Sequence, residues 1–281
     1  MQLTPEQALA LPPDRLGIGS PIRLAVVADA PALTACFADM LLAEYRAVLA
    51  AGRARAVFIV PVGPIGQYQL LAERCNAERQ DLGRLVLINM DEYLAPDGSW
   101  ISADDPLSFR GHMQRNFWAR IDPALAPHHP GLFPDPQDWS LVPRTIAEMG
   151  GVDAAFGGVG VTGHLAFNDP PEPGEATDPD AFAALPTRAV SLSRETLVIA
   201  AVNSAGGNVA RIPRRAMTVG MREILAARKI RLFLHRAYGG TMLRLLLHGP
   251  VTAAVPASLL QRHPDAAVTV TQAATTRPEP Q

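Results

Sequence analysis

A chain of 281 residues with 48% hydrophobic content is long enough to bury a large core and falls within the range of one α/β domain. A formal net charge of -2 and a pI near 6.4 leave no electrostatic footprint for nucleic acid, and no block of like charge marks a tail for an acidic surface. The N-terminus lacks a basic region followed by an apolar one, and no apolar run approaches the roughly 20 residues of a membrane helix, so a cytoplasmic protein without a membrane partner is expected.

In chain order, Thr4-Pro5-Glu6-Gln7 reads as a helix start that Pro12-Pro13 stops. Residues 22–28 form an apolar strand, and Asp29 or Pro31 opens a long helix to about residue 51. Cys36 in this helix and Cys75 in the next are expected to be core thiols, in keeping with a reducing compartment. The strand at 56–60 runs into a Gly/Pro loop at 61–66, followed by a helix over 67–78. A strand, loop and helix in that order can hold a phosphate at the helix N-terminus, with Gly63 and Gly66 letting the backbone approach. Pro64 lacks an amide hydrogen and the loop carries no Lys, Ser or Thr, so a plain connection is the favoured explanation of this stretch alone.

The third strand, 84–89, leads into Met90-Asp91-Glu92-Tyr93. Two carboxylates at the carboxyl end of a buried parallel strand fall where open α/β sheets bind ligands, and burial raises a carboxyl toward the range of a general base. The competing reading is a helix-capping aspartate and a surface glutamate. Residues 123–143, with His128, His129 and Trp139, read as a surface excursion; the paired histidines lack the further ligands of a metal site, and none is expected.

The apolar run 152–156 opens into Gly157-Gly158-Val159-Gly160-Val161-Thr162-Gly163-His164-Leu165-Ala166-Phe167-Asn168-Asp169. The glycines allow backbone amides close to a small molecule, and His164 and Asp169 bring a titratable base and a carboxylate into the same loop. A tight turn with a surface histidine is the alternative. Residues 170–179 are proline-rich and placed to act as a lid or as an ordinary loop. A strand at 188–192, a helix from Ser193 and a strand near 231–234 follow, and residues 272–281 read as a disordered tail. Alternating strands and helices predict a three-layer, Rossmann-like α/β fold, with a mostly parallel sheet and helices on both faces.

These motifs, together with Ser108-Phe109-Arg110-Gly111-His112, Pro213-Arg214-Arg215-Ala216-Met217-Thr218-Val219-Gly220 and residues 253–264, resemble the glucosamine-6-phosphate deaminase family, which is related to the 6-phosphogluconolactonases. Asn-Met-Asp-Glu-Tyr and the Phe-Asn after the histidine point to the deaminase branch. The resemblance implies one sugar-isomerase-like domain over residues 1–271, a small-molecule sugar or sugar-phosphate partner, no cofactor, and compatibility with a homo-oligomer. It also implies conversion of glucosamine 6-phosphate to fructose 6-phosphate and ammonia. Asp91 matches the aspartate that moves a proton from C2 toward C1, and His164 matches the histidine that assists ring opening, with Asp169 in support. Gly63, Gly66, Glu92, Gly158, Gly160, Thr162 and Arg236 are the expected substrate contacts.

The departures bear on the substrate. Thr162 stands where the family has an aspartate, Asp169 where it has a glutamate, and Tyr238 where it places a phosphate-binding lysine, while Asn203-Ser204-Ala205 lacks the family arginine. A phosphate is ordinarily met by charged, often bidentate, partners. Either Arg236, Arg194 or Arg188 has taken over that role, or the substrate is an unphosphorylated sugar, sugar acid or lactone. A sugar-binding sensor that has lost the chemistry is the third reading.

Overall fold

The computed structural model describes residues 3–63, 66–172, 174–175 and 177–278. The chain opens with α1 (Pro5–Leu9), where Thr4 and Gln7 form the reciprocal N-terminal box that their spacing predicts. Then come β1 (Arg23–Val27) and α2 (Ala30–Ala50), whose start is fixed by the Asp29 carboxylate accepting from the Ala32 amide. β2 (Ala56–Val60), α3 (Gln67–Glu78) and β3 (Leu85–Asn89) follow. β2 and β3 are buried at every position, as expected of apolar runs covered on both faces of a parallel sheet.

Next are β4 (Asp91–Leu94), α4 (Phe109–Met113), α5 (Leu141–Glu148), β5 (Ala154–Gly157) and α6 (Pro179–Ala183). β6 (Arg188–Ser191), α7 (Arg194–Ser204), β7 (Arg215–Thr218) and α8 (Met221–Leu225) lead to β8 (Ile230–Leu234), α9 (Gly240–His248) and β9 (Ala266–Thr271).

Six strands form one parallel sheet in the order β1-β9-β8-β5-β2-β3. After β2 the chain adds β3 at one edge, and after β5 it builds toward β8 and β9 at the other, so the order reverses between β2 and β5. Ligands bind outside the strand ends at such a reversal.

The remaining strands form a second, antiparallel sheet, β4-β7-β6, which the periodicity did not separate from the first. Asp91 therefore does not end a parallel strand. Met90 is the seam: its amide donates to the Val60 carbonyl on β2 (2.9 Å), and its carbonyl accepts from the Val219 amide beyond β7 (2.7 Å). One residue thus passes the chain from one sheet to the other, and β4 starts a new ladder with Asp91 opposite Thr218. The strand expected at 188–192 is likewise the outer strand of this sheet.

Two other expectations change. The excursion at 123–143 is not purely surface: Leu125 and Phe133 are buried, and Leu132 pairs with Ile88 along the open edge of β3. That pairing covers backbone groups an edge strand would expose. In the expected tail, Gln272–Thr275 form a 3-10 turn with Ala274 fully buried. The fully buried Arg244 guanidinium donates to the carbonyls of Thr275 (2.9 Å) and Thr276 (3.0 Å). The end of the tail, 279–281, lies outside the described residues, as do Pro64 and Ile65 of the Gly/Pro loop and Pro173 and Ala176 of the expected lid. Cys36 and Cys75 are both free thiols, Cys75 buried. Among the described residues no helix is long and apolar enough to cross a membrane.

Candidate active site

A cavity of about 340 Å³ opens at the carboxyl ends of β2, β5 and β8, the three adjacent strands beside the reversal in strand order. β2 contributes Pro61, Val62 and Gly63; the loop after β5 contributes Gly158, Gly160 and His164; the turn after β8 contributes His235, Arg236 and Tyr238. Asp91 enters from the second sheet. Glycine loop, aspartate, histidine and Arg236, far apart in the sequence, therefore share one space.

Asp91 is 9% exposed, and among the described residues nothing donates a hydrogen bond to its carboxylate. Burial, with a smaller contribution from the neighbouring Glu92 charge, pushes its carboxyl up from the ordinary 3.8 to about 8. A carboxyl tuned to this range and facing a cavity is suited to taking a proton from a substrate and returning it.

His164 sits on a loop shaped by close approach. The Gly160 amide donates to the His164 carbonyl (3.0 Å), and the Gly163 amide donates to the Gly160 carbonyl (2.9 Å), with Gly163 at φ +82°. A Cβ on Gly160 would lie 2.0 Å from His164 Nε2, so the ring occupies space that only glycine leaves open. On the far side His164 Nδ1 donates to Asp169 Oδ1 at 2.7 Å. Nε2, which makes no hydrogen bond among the described residues, packs beside Gly160 on the cavity wall. The aspartate, one methylene shorter than a glutamate, reaches the ring without strain on this distance.

Further groups crowd the same carboxylate. Thr162 Oγ1 lies 2.8 Å from His164 Nδ1 and donates to Asp169 Oδ1 at 3.1 Å. Thr196 Oγ1 donates to Asp169 Oδ1 at 2.7 Å, and the Ser193 amide donates to Oδ2 at 3.1 Å. Burial alone would raise the Asp169 carboxyl, but His164 and these donors outweigh it and hold the group well below the ordinary carboxylate range. Asp169 and Thr162 thus support the ring from behind and do not line the cavity.

Glu92 corrects the sequence reading most clearly. It is fully buried and absent from the cavity wall, because adjacent strand residues point to opposite faces. Its oxygens accept from Ser108 Oγ (2.8 Å) and from the amides of Phe109 (3.1 Å) and Arg110 (2.8 Å), anchoring the N-terminus of α4. Gly66 caps α3 at φ +107° and also stays out of the wall.

Of the arginines considered for a phosphate, only Arg236 lines the cavity. It is exposed and carries no ion pair among the described residues, its guanidinium carbon lying 6.0 Å from the Tyr238 ring centre. Arg188 instead donates to Asn168 Oδ1 (2.8 Å), and Arg194 is exposed on α7 away from the wall. His235, half-buried beside Arg236, is pushed below its ordinary value first by burial and then by that charge.

The sequence reading missed the apolar wall. Phe109 and Phe167 both line the cavity, and their rings stack at 6.1 Å, each packing on Tyr93 at 5.0 and 5.4 Å respectively. Phe167 follows His164 closely enough to have been suspected, whereas only the fold brings Phe109 there. Among the described residues, no three His, Cys, Asp or Glu side chains cluster as metal ligands would.

No protein-family model matches the chain. It is 32% identical over 208 residues to the glucosamine-6-phosphate deaminase of Lachnoclostridium phytofermentans, covering 73% of this chain and 81% of that one. It is 33% identical over 214 residues to that of Rhodopirellula baltica, covering 75% and 79%. In fold it superimposes on a monomeric glucosamine-6-phosphate deaminase with a TM-score of 0.73 at 22% identity, over 90% of this chain and 98% of that one. It also superimposes on the 6-phosphogluconolactonase of Thermotoga maritima with a TM-score of 0.59 at 13% identity, over 89% and 100%. The level of identity to the two deaminases, over four-fifths of their length, together with the shared fold, places the chain in the glucosamine-6-phosphate deaminase family.

Proposed function

We propose that the protein isomerises and deaminates an amino-sugar phosphate, converting glucosamine 6-phosphate and water to fructose 6-phosphate and ammonia. The observation that carries this reading is Asp91: a buried carboxyl without a hydrogen-bond donor among the described residues, pushed up to about 8, in the same cavity as a histidine backed by a carboxylate. His164 Nε2 exchanges a proton with the ring oxygen to open the sugar. Ionised Asp91 takes the proton from C2 and returns it to C1, leaving an imine at C2 that water converts to the ketone as ammonia departs. The apolar face of Phe109 and Phe167 keeps bulk water from the enol-type intermediate, and Arg236 meets the phosphate.

The test is ammonia release and fructose 6-phosphate formation from glucosamine 6-phosphate, run beside thermal shifts with that sugar, unphosphorylated glucosamine and 6-phosphogluconate. Turnover of the phosphosugar supports the reading; stabilisation by all three ligands without ammonia release overturns it. The exposed, solitary Arg236 favours one second reading, an unphosphorylated sugar or lactone, which requires that phosphate confer no advantage in binding. In a sensor, Asp91→Asn and His164→Ala would keep ligand affinity with no turnover to lose.

A further inference from the structure

The His164–Asp169 pair is held by a helix that carries neither residue. α7 begins at Ser193, whose hydroxyl caps the Thr196 amide at 3.2 Å, so the cap uses the Ser193 side chain and leaves that of Thr196 free. A threonine in a helix ordinarily turns its hydroxyl back to a carbonyl one turn earlier. Thr196, 2% exposed, points its hydroxyl at Asp169 Oδ1 instead, at 2.7 Å, while also lying 3.3 Å from His164 Nδ1. The Ser193 amide holds the other oxygen of the same carboxylate. The aspartate is thus gripped at both oxygens by the amino end of α7, where unpaired amides favour a negative charge.

We propose that Thr196 is a positioning residue for the proton-exchange step: its hydroxyl fixes Asp169 beneath the imidazole. Thr162 supplies the second hydroxyl. Together they orient the ring with neutral donors where a second carboxylate would add charge. The groups around His164 are Asp169 in its own loop, Thr196 and the Ser193 amide on α7, and, sharing the cavity, Asp91 from β4 with His235 and Arg236 after β8. Arg194 and Glu195 on the first turn of α7 are exposed. Removing the Thr196 hydroxyl frees Asp169 Oδ1 to turn away from the ring, so the hydrogen bond from His164 Nδ1 lengthens.

This inference rests on the proposed role of His164, and the experiment separates the two. The His164 Nδ1–H resonance, which reports the hydrogen bond to Asp169, is followed by NMR in the full chain for wild type, Thr196→Val, Thr196→Ala and Thr196→Ser, a readout that needs no substrate. Turnover of glucosamine 6-phosphate is followed in the same variants and in His164→Gln. Val and Ala should move that resonance upfield, as the hydrogen bond to Asp169 weakens, and lower kcat by about tenfold to a hundredfold with KM unchanged, and Ser should restore both. An unmoved or downfield resonance in a folded Val or Ala variant overturns the role of Thr196. If His164→Gln turns over at the wild-type rate, the proposed function fails instead, while the Nδ1–H resonance still decides whether Thr196 positions the pair.

Discussion

Replacing Asp91 by asparagine should make the protein more stable, increasingly so as pH rises, while abolishing turnover. In the unfolded chain the carboxyl ionises near 3.8, whereas in the folded protein burial delays ionisation to about 8. Between those values the folded state holds a proton that the unfolded state has released, so the stability present below 3.8 is lost progressively as pH rises toward 8. Each unit of separation is worth about 1.4 kcal/mol, so the loss is about 1–2 kcal/mol at pH 5 and about 4 kcal/mol at pH 7. Asparagine keeps the shape of the neutral acid and never ionises. At about 2–4 °C per kcal/mol for a chain approaching this size, the melting temperature of Asp91→Asn should rise relative to wild type by roughly 5–10 °C between pH 5 and pH 7. Above pH 8 the gap should stop widening. The assay is thermal denaturation of both proteins from pH 5 to 9, alongside wild-type kcat/KM, which should climb through about pH 8 as the base ionises. Melting curves that shift in parallel with pH would refute the buried, unpartnered carboxyl and with it the tuning of the base.

Arg236→Ala should raise KM for a phosphorylated sugar about tenfold or more while leaving that for its unphosphorylated counterpart unchanged, measured by steady-state kinetics on both. Glu92→Gln should lower stability by about 1–3 kcal/mol in thermal melts, because an amide presents its own donors to the Ser108 hydroxyl and the Arg110 amide that now donate to the carboxylate. Gly160→Ala should leave the fold intact and reduce kcat by about a hundredfold, since the new Cβ takes the space of the His164 ring. An unimpaired rate in that variant would mean the ring is not used where it sits.

The parallel core was legible because fully covered strands are written as unbroken apolar runs: β2 and α3 begin and end where the pattern places them. The second sheet was not. β4 follows β3 after one residue, so no turn signal marks the change, and only the Met90 backbone bonds separate them. The same blind spot misassigned Glu92, because which of two adjacent carboxylates faces a cavity depends on strand face and not on composition. Asp91, His164 and Asp169 stood out as candidates because titratable groups directly follow apolar runs there, and the structure brings the first two to one cavity and the third behind the ring. Thr196 carried no such signal, as a threonine in the first turn of a helix looks like ordinary capping until the fold sets Asp169 against it.

Asp91 and His164, the two proposed proton carriers, are surveyed from a single benchmark. Asp91 lies opposite Thr218 in the β4–β7 ladder, and the Thr218 hydroxyl accepts from the Phe167 amide (3.0 Å) in the loop that bears His164. Asn168 fastens that loop to Val219, one residue along (2.9 Å). The separation of Asp91 from His164 is therefore measured along one short strand and not across the six-stranded sheet. Drift of the large sheet would alter the room in the cavity while preserving the spacing of these two side chains. Such an arrangement lets the β2 and β8 loops diverge to suit a new ligand without recalibrating the chemistry.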